Sequence, residues 1–116
     1  MKIIIAGSRT FTDYKKLFEV CDLFLQDQTV IEIVSGAYNK GADKLGEKYA
    51  AKKGFQLTKF PADWKRYKRA AGPKRNQQMA NYADALIAFW DGKSRGTKNM
   101  LNLAKQAQLK IKVIYF

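Results

Sequence analysis

The chain has 116 residues, 47% of them hydrophobic, and its 22 Lys and Arg against 10 Asp and Glu give a formal net charge of +12. A single domain of this length buries enough surface to need no metal or disulfide staple. One cysteine, Cys21, and no histidine exclude an internal disulfide framework, an imidazole base and a zinc site, and no metal or cofactor is expected.

The apolar run Ile3-Ile4-Ile5-Ala6 is too short for a signal-peptide core, and no stretch approaches the ~20 apolar residues of a membrane span. The expected setting is a reducing cytoplasm, with no membrane partner. Residues 1–58 hold nine basic and seven acidic groups, whereas 59–116 hold thirteen and three. A charge so unevenly placed suits an anionic ligand or partner, although solvated lysines alone produce the same excess.

Met1 to Ala6 reads as a buried strand ending in Gly7-Ser8-Arg9. Asp13 is placed to cap a helix whose stripe is Leu17, Val20, Cys21, Phe24 and Leu25, which assigns Cys21 to the core. Val30 to Ser35 is the second strand. A helix from about Gly41 to Lys53 follows, with Ala42, Leu45, Gly46, Tyr49 and Ala50 inward and Gly54 as its stop. Phe55 to Phe60 is the third strand, ended by Pro61. Ala62 to Ala71 has no clear period and fits a long loop or a short helical turn. Gly72-Pro73 opens the next helix, Asp84 to Trp90 is a central strand, Thr97 to about Gln108 the last helix and Ile111 to Tyr115 the last strand. Strict alternation predicts one α/β domain over 1–116. It is Rossmann-like and three-layered, with a five-stranded, mainly parallel sheet in the order 3-2-1-4-5.

Loops at the carboxyl ends of such strands line the ligand crevice. Gly7-Ser8-Arg9 offers close backbone approach, a hydroxyl and a guanidinium fork, or simply a tight turn. Gly36 to Asp43 imitates a Walker A spacing, but Ala42-Asp43 stands where Lys-Ser/Thr belongs, so a P-loop is rejected. What remains is a glycine loop feeding a helix N-terminus, with Asp43 as ligand contact or plain dipole cap. Residues 59–75 hold seven basic groups and one acid, with Trp64 and Tyr67 among them. There an aromatic face can stack a base, or Trp64 can pack on the sheet edge. Arg75 and Asn76, in a first helical turn, are better placed for specific contacts than Lys65, Arg66, Lys68 or Arg69. Asp91-Gly92-Lys93-Ser94-Arg95-Gly96-Thr97 fits a phosphate cradle built from Gly92, Ser94, Gly96 and Thr97, or an ordinary capped helix start.

Gly-Ser-Arg, Gly-x4-Gly-Ala-Asp, Pro-Ala-Asp-Trp, Gly-Pro-x-Arg-Asn-x-x-Met and a Gly-Thr before the last helix occur in that order. Together they resemble the YspA-like family of the SLOG superfamily, over essentially the whole chain. The resemblance implies a Rossmann-like domain that senses, carries or sequesters a nucleotide-derived ligand, such as an ADP-ribose-like or cyclic nucleotide, in bacterial or phage conflict. A phage-encoded copy would act in the host cytoplasm. Related LOG phosphoribohydrolases use Pro-Gly-Gly-x-Gly-Thr-x-x-Glu with an arginine on the preceding helix. Arg75 matches that arginine and Gly96-Thr97 the Gly-Thr, but Met100 stands at the glutamate. Binding without rapid turnover is therefore expected, and no catalytic residue is assigned. N-glycosidic hydrolysis and, as in DprA, single-stranded nucleic-acid binding are the alternatives. A homo-oligomer is also expected, because similar domains self-associate and Met79, Tyr82 and Met100 offer spare apolar surface.

Overall fold

The computed structural model covers residues 1–116. Five strands, β1 (Lys2–Gly7), β2 (Glu32–Ser35), β3 (Gln56–Lys59), β4 (Ala85–Trp90) and β5 (Lys110–Tyr115), form one sheet in the order β3-β2-β1-β4-β5. Every neighbouring pair is parallel; Ile3 lies beside Ile33 on one side and Ala85 on the other. The two central strands are apolar almost throughout because both of their faces are covered. The outer strands turn Gln56, Lys59, Lys110 and Lys112 to solvent, which discourages edge-to-edge pairing.

Two helices, α1 (Tyr14–Phe24) and α2 (Ala42–Lys53), cover one face. Leu17, Cys21, Leu25, Tyr49 and Ala50 pack there on Ile3, Ile5, Ile33, Ile87 and Phe89. Burial pushes the Cys21 thiol up to about 12, so it behaves as a small apolar side chain. Asp13 caps α1 by accepting from the Lys16 N–H at 3.0 Å, and Gly54 ends α2 in the left-handed region. On the other face, α4 (Ala71–Tyr82) and α5 (Arg95–Gln106) place Met79, Ala80, Met100, Leu101 and Ala104 against Ile4, Ala6, Val34, Leu86 and Ala88. Alternate residues of β1 and β4 thus feed opposite cores.

Of the two readings of residues 62–71, a long loop or a short helical turn, the second holds: a short helix, α3 (Trp64–Tyr67), is followed by a single 3-10 turn, Lys68–Ala70, that runs straight into α4. Asp63 caps α3 by accepting from the Arg66 N–H at 3.2 Å. Lys68, at φ 52° and ψ −126°, breaks the helical path between the two. Accordingly α4 begins at Ala71 rather than at Gly72. The second strand begins at Glu32, not Val30: Val30 precedes the paired region and is 77% exposed.

Met79 and Met100 are each 1% exposed, and Tyr82 packs on Phe60 while donating to Glu32. Of the apolar surface on which self-association was expected, Met79 and Met100 are therefore core and Tyr82 is half-buried. No helix is long and apolar enough to cross a membrane.

Candidate functional site

Between β1 and β4 the connections leave in opposite directions, and the crevice at their carboxyl ends is the usual ligand position in such sheets. A cleft of about 470 Å³ opens there, large enough for a small ligand. Of the residues expected to bind, Gly7, Arg9, Asp43, Trp64, Arg75, Asn76, Ser94, Gly96 and Thr97 line it. Gly7 and Gly96 share this wall, so the glycine-bearing loops do converge at one sheet edge. Sequence reasoning passed over Tyr38, Lys40, Arg95 and Asn99 as contacts and ranked Arg69 low, yet all five line the cleft.

Several expected ligand contacts are instead struts. Ser8 is 2% exposed; its N–H donates to the Phe89 carbonyl at 2.9 Å and its Oγ accepts from the Asp91 N–H at 3.2 Å. Its carbonyl also accepts from the Ala42 N–H at 3.3 Å, so one residue joins three loops. Gly41, at φ 75°, permits that approach: a Cβ there would lie 2.6 Å from both the Arg9 Cα and the Ser8 carbonyl oxygen. Ala42 is fully buried, and Gly92 is an exposed turn residue at φ 80°, away from the cleft wall.

Asn76 is likewise committed. Its Oδ1 accepts from Arg75 Nε at 2.9 Å, while Nδ2 donates to Asn99 Oδ1 at 2.9 Å and to the Gly96 carbonyl at 3.3 Å. It clamps α4 to α5 and aims Arg75. The Arg75 Nη1 donates to the Gly36 carbonyl, which leaves Nη2 directed to no protein acceptor. Burial lowers the Arg75 pKa, the Asp43 charge opposes it and Arg9 adds a smaller lowering, and the guanidinium stays charged at neutral pH. Arg9 reaches the cleft from the other side, its guanidinium 4.1 Å over the Tyr38 ring.

Asp91 accepts from the Lys93 and Ser94 N–H groups at 2.9 and 2.8 Å, which hold its carboxyl below the usual range. The turn so formed delivers Ser94 as N-cap of α5, where Oγ takes the Thr97 N–H. The Thr97 hydroxyl lies 3.2 Å from Ser94 Oγ, within the cap. The N–H groups of Arg95 and Gly96 have no protein partner, so the anion-attracting end of α5 is open beside the cleft.

Gly36, expected as a contact, lies behind the wall: a Cβ there would meet Arg75 Nη1 at 2.5 Å and Asp43 Oδ2 at 2.9 Å. Because the clashing atoms end flexible side chains, Gly36→Ala is expected to fold normally but displace Arg75. Affinity for an anionic ligand should fall about tenfold, the scale of one charge-assisted hydrogen bond. Calorimetric titration together with a thermal melt checks both halves.

Asp43 is the sole carboxylate among five cationic side chains in the cleft: Arg9, Lys40, Arg69, Arg75 and Arg95. Desolvation pushes its carboxyl up to about 6, against the Tyr38 N–H bond and the charges of Arg75 and Arg9. Met100, at the position of the LOG glutamate, belongs to the second core and also floors the cleft.

The family model of the YspA, cpYpsA-related SLOG family matches residues 1–67, covering Gly7-Ser8-Arg9, Gly36 to Asp43 and Pro61 to Trp64. The chain is similar to the Gene 61 protein of Mycobacterium phage D29, 28% identical over 118 residues, spanning 95% of this chain and 93% of that protein. A shorter likeness, 44% over 36 residues, is to the SPbeta prophage-derived protein YoqJ of Bacillus subtilis strain 168, covering 31% of this chain and 21% of YoqJ. No solved structure matches significantly. More than half of its length fits that one family model. The chain therefore belongs to the YspA, cpYpsA-related SLOG family, a membership that suggests, at a general level, a nucleotide-related ligand.

Proposed function

We propose that the protein binds a nucleotide-derived ligand, holding its phosphate between Arg9, Arg75 and the open N-terminus of α5, and acts by sensing, carrying or sequestering it. The observation that carries this reading is the cleft itself. Five cationic side chains face one carboxylate there, at the sheet's switch point, and two backbone N–H groups beside them lack partners. At the rim Trp64 is 47% exposed and presents a ring to a base. The carboxylate expected at the glycosidic bond is replaced by the buried Met100, which favours retention of the ligand over cleavage.

Titration with AMP, ADP, ADP-ribose and a cyclic nucleotide tests the reading, with mass spectrometry of small molecules released from purified protein as a second route to the ligand. Trp64→Ala should cost about 1–3 kcal/mol of nucleotide affinity, as loss of a stacking face does. The ring is only 47% exposed, so its packing on Gly72 is lost as well and stability should fall by roughly 1–2 kcal/mol. A melt and a titration on one sample separate the two effects. Steady release of free base from AMP, abolished by Asp43→Asn, would make the protein a hydrolase instead.

A further inference from the structure

We propose that Asp43 is the cleft's hydroxyl acceptor, taking a hydrogen bond from a ligand hydroxyl close to the phosphate, so that the site selects ribose phosphates over bare oxyanions. The proposal rests on the nucleotide reading above and names what it selects. Asp43 is 8% exposed and sits at the start of α2. Its Oδ2 accepts from the Tyr38 N–H at 3.1 Å, while Oδ1 has no partner in the protein and is not sealed from solvent, so it opens into the cleft.

Nothing within the fold accounts for that free oxygen. Asp43 makes no ion pair within 4.0 Å, although Arg75 and Arg9 are near enough to act on its charge. A first-turn acidic residue that only complements the helix dipole has no reason to be this buried, because the dipole term is modest and survives at the surface. The carboxylate instead borders the same glycine as the anion-binding arginine. Arg75 Nη1 and Asp43 Oδ2 flank Gly36, 2.5 and 2.9 Å from the point where its side chain would begin.

An acceptor beside an anion-gripping donor reads a particular chemistry. A sulfate drawn to Arg75 carries only acceptor oxygens and meets the carboxylate as a like charge. A ribose phosphate offers an anion to the arginine and, a few bonds away, hydroxyl donors to Oδ1. Base recognition is the less suitable role for Asp43, because the cleft already holds an aromatic face for it, the Trp64 ring beside Gly72.

The test is calorimetric titration of the wild-type and Asp43→Asn proteins with AMP, 2′,3′-dideoxy-AMP and sulfate. Wild type is expected to prefer AMP over the dideoxy nucleotide by about tenfold or more, the effect of one hydrogen bond to a charged group. Asp43→Asn should erase most of that preference and tighten sulfate binding, since the repelling charge is gone. Asp43→Ser, which keeps no charge and a smaller volume, should behave likewise. Equal wild-type affinity for the two nucleotides, or an Asp43→Asn loss identical for both, overturns the proposal while leaving the nucleotide reading intact. If neither nucleotide binds wild type, both readings fall.

Discussion

Arg75→Ala is expected to weaken AMP binding by roughly 1.5–3 kcal/mol, about ten- to a hundredfold, the worth of a charge-assisted hydrogen bond in a partly desolvated site. The side chain is half-buried and held through Nε by Asn76 Oδ1 and through Nη1 by the Gly36 carbonyl, with Nη2 left free, so little freedom remains to be lost on binding. Removing it also strands those two acceptors, and a modest fall in stability, about 1 kcal/mol, should accompany the loss of affinity. Arg75→Lys should recover only part of the binding, because an ammonium cannot hold the Gly36 carbonyl, Asn76 and a phosphate at once. Lys52, exposed in the last turn of α2, is the control. Titrations at about 50 and 500 mM salt separate specific contact from general attraction, since the screening length of exposed charges falls from about 14 Å to about 4 Å between them. Equal losses at Lys52 and Arg75, vanishing together in salt, would contradict the assignment.

Asp43→Asn should raise stability, and the gain should depend on pH. Burial lifts the folded-state pKa from 3.8 to about 6. The folded protein therefore binds a proton more tightly than the unfolded chain does. Stability is full below about pH 4, falls as pH rises towards 6, and stays reduced above that. The lost amount is on the order of 2–3 kcal/mol at 1.36 kcal/mol per pH unit. Asparagine keeps an oxygen for the Tyr38 N–H and removes the ionisation, so at pH 7.5 its melting temperature should exceed wild type by on the order of 10 °C. At pH 4 the two proteins should melt nearly together. Other carboxyls, such as the lowered Glu32 and Asp91, act with the opposite sign but are common to both proteins. Calorimetry at pH 4, 5, 6 and 7.5 checks the curve; a variant less stable than wild type at pH 7.5 would refute it. A carboxylate kept at such a cost, facing a cationic cleft, is what a binding role for Asp43 requires.

The fold was legible because its signals are local. Ile3 to Ala6 and Leu86 to Phe89 are apolar at every position, as strands covered on both faces must be. Asp13 and Gly54 mark helix ends by their own chemistry. The site was legible only in part. Arg9 stood out by its loop and Arg75 by its place near a helix start, and both line the cleft. Ser8 and Asn76 looked equally suited, but their polar atoms are consumed by Asp91, Asn99 and Gly96, partners 83, 23 and 20 residues away. A sequence shows which atoms donate and accept, not which of them are already paired. Arg69 was ranked low because it lay in a stretch without clear period, yet the 3-10 turn Lys68–Ala70 carries it to the cleft. Met100 stood at the LOG glutamate position and as spare apolar surface; it belongs to the second core and floors the cleft, since α5 carries one side chain across the boundary between them.

The central claim, that the switch-point cleft holds a nucleotide by its phosphate, is tested most directly by a ¹H–¹⁵N NMR titration of the labelled protein with AMP. Saturable shifts are expected at the amides of Gly7, Arg9, Arg95 and Gly96, and in Arg75→Ala they should require about ten- to a hundredfold more AMP. Shifts spread instead over Lys65, Arg66, Lys110 and Lys112 and removed by salt, or no shift at millimolar AMP, would contradict it.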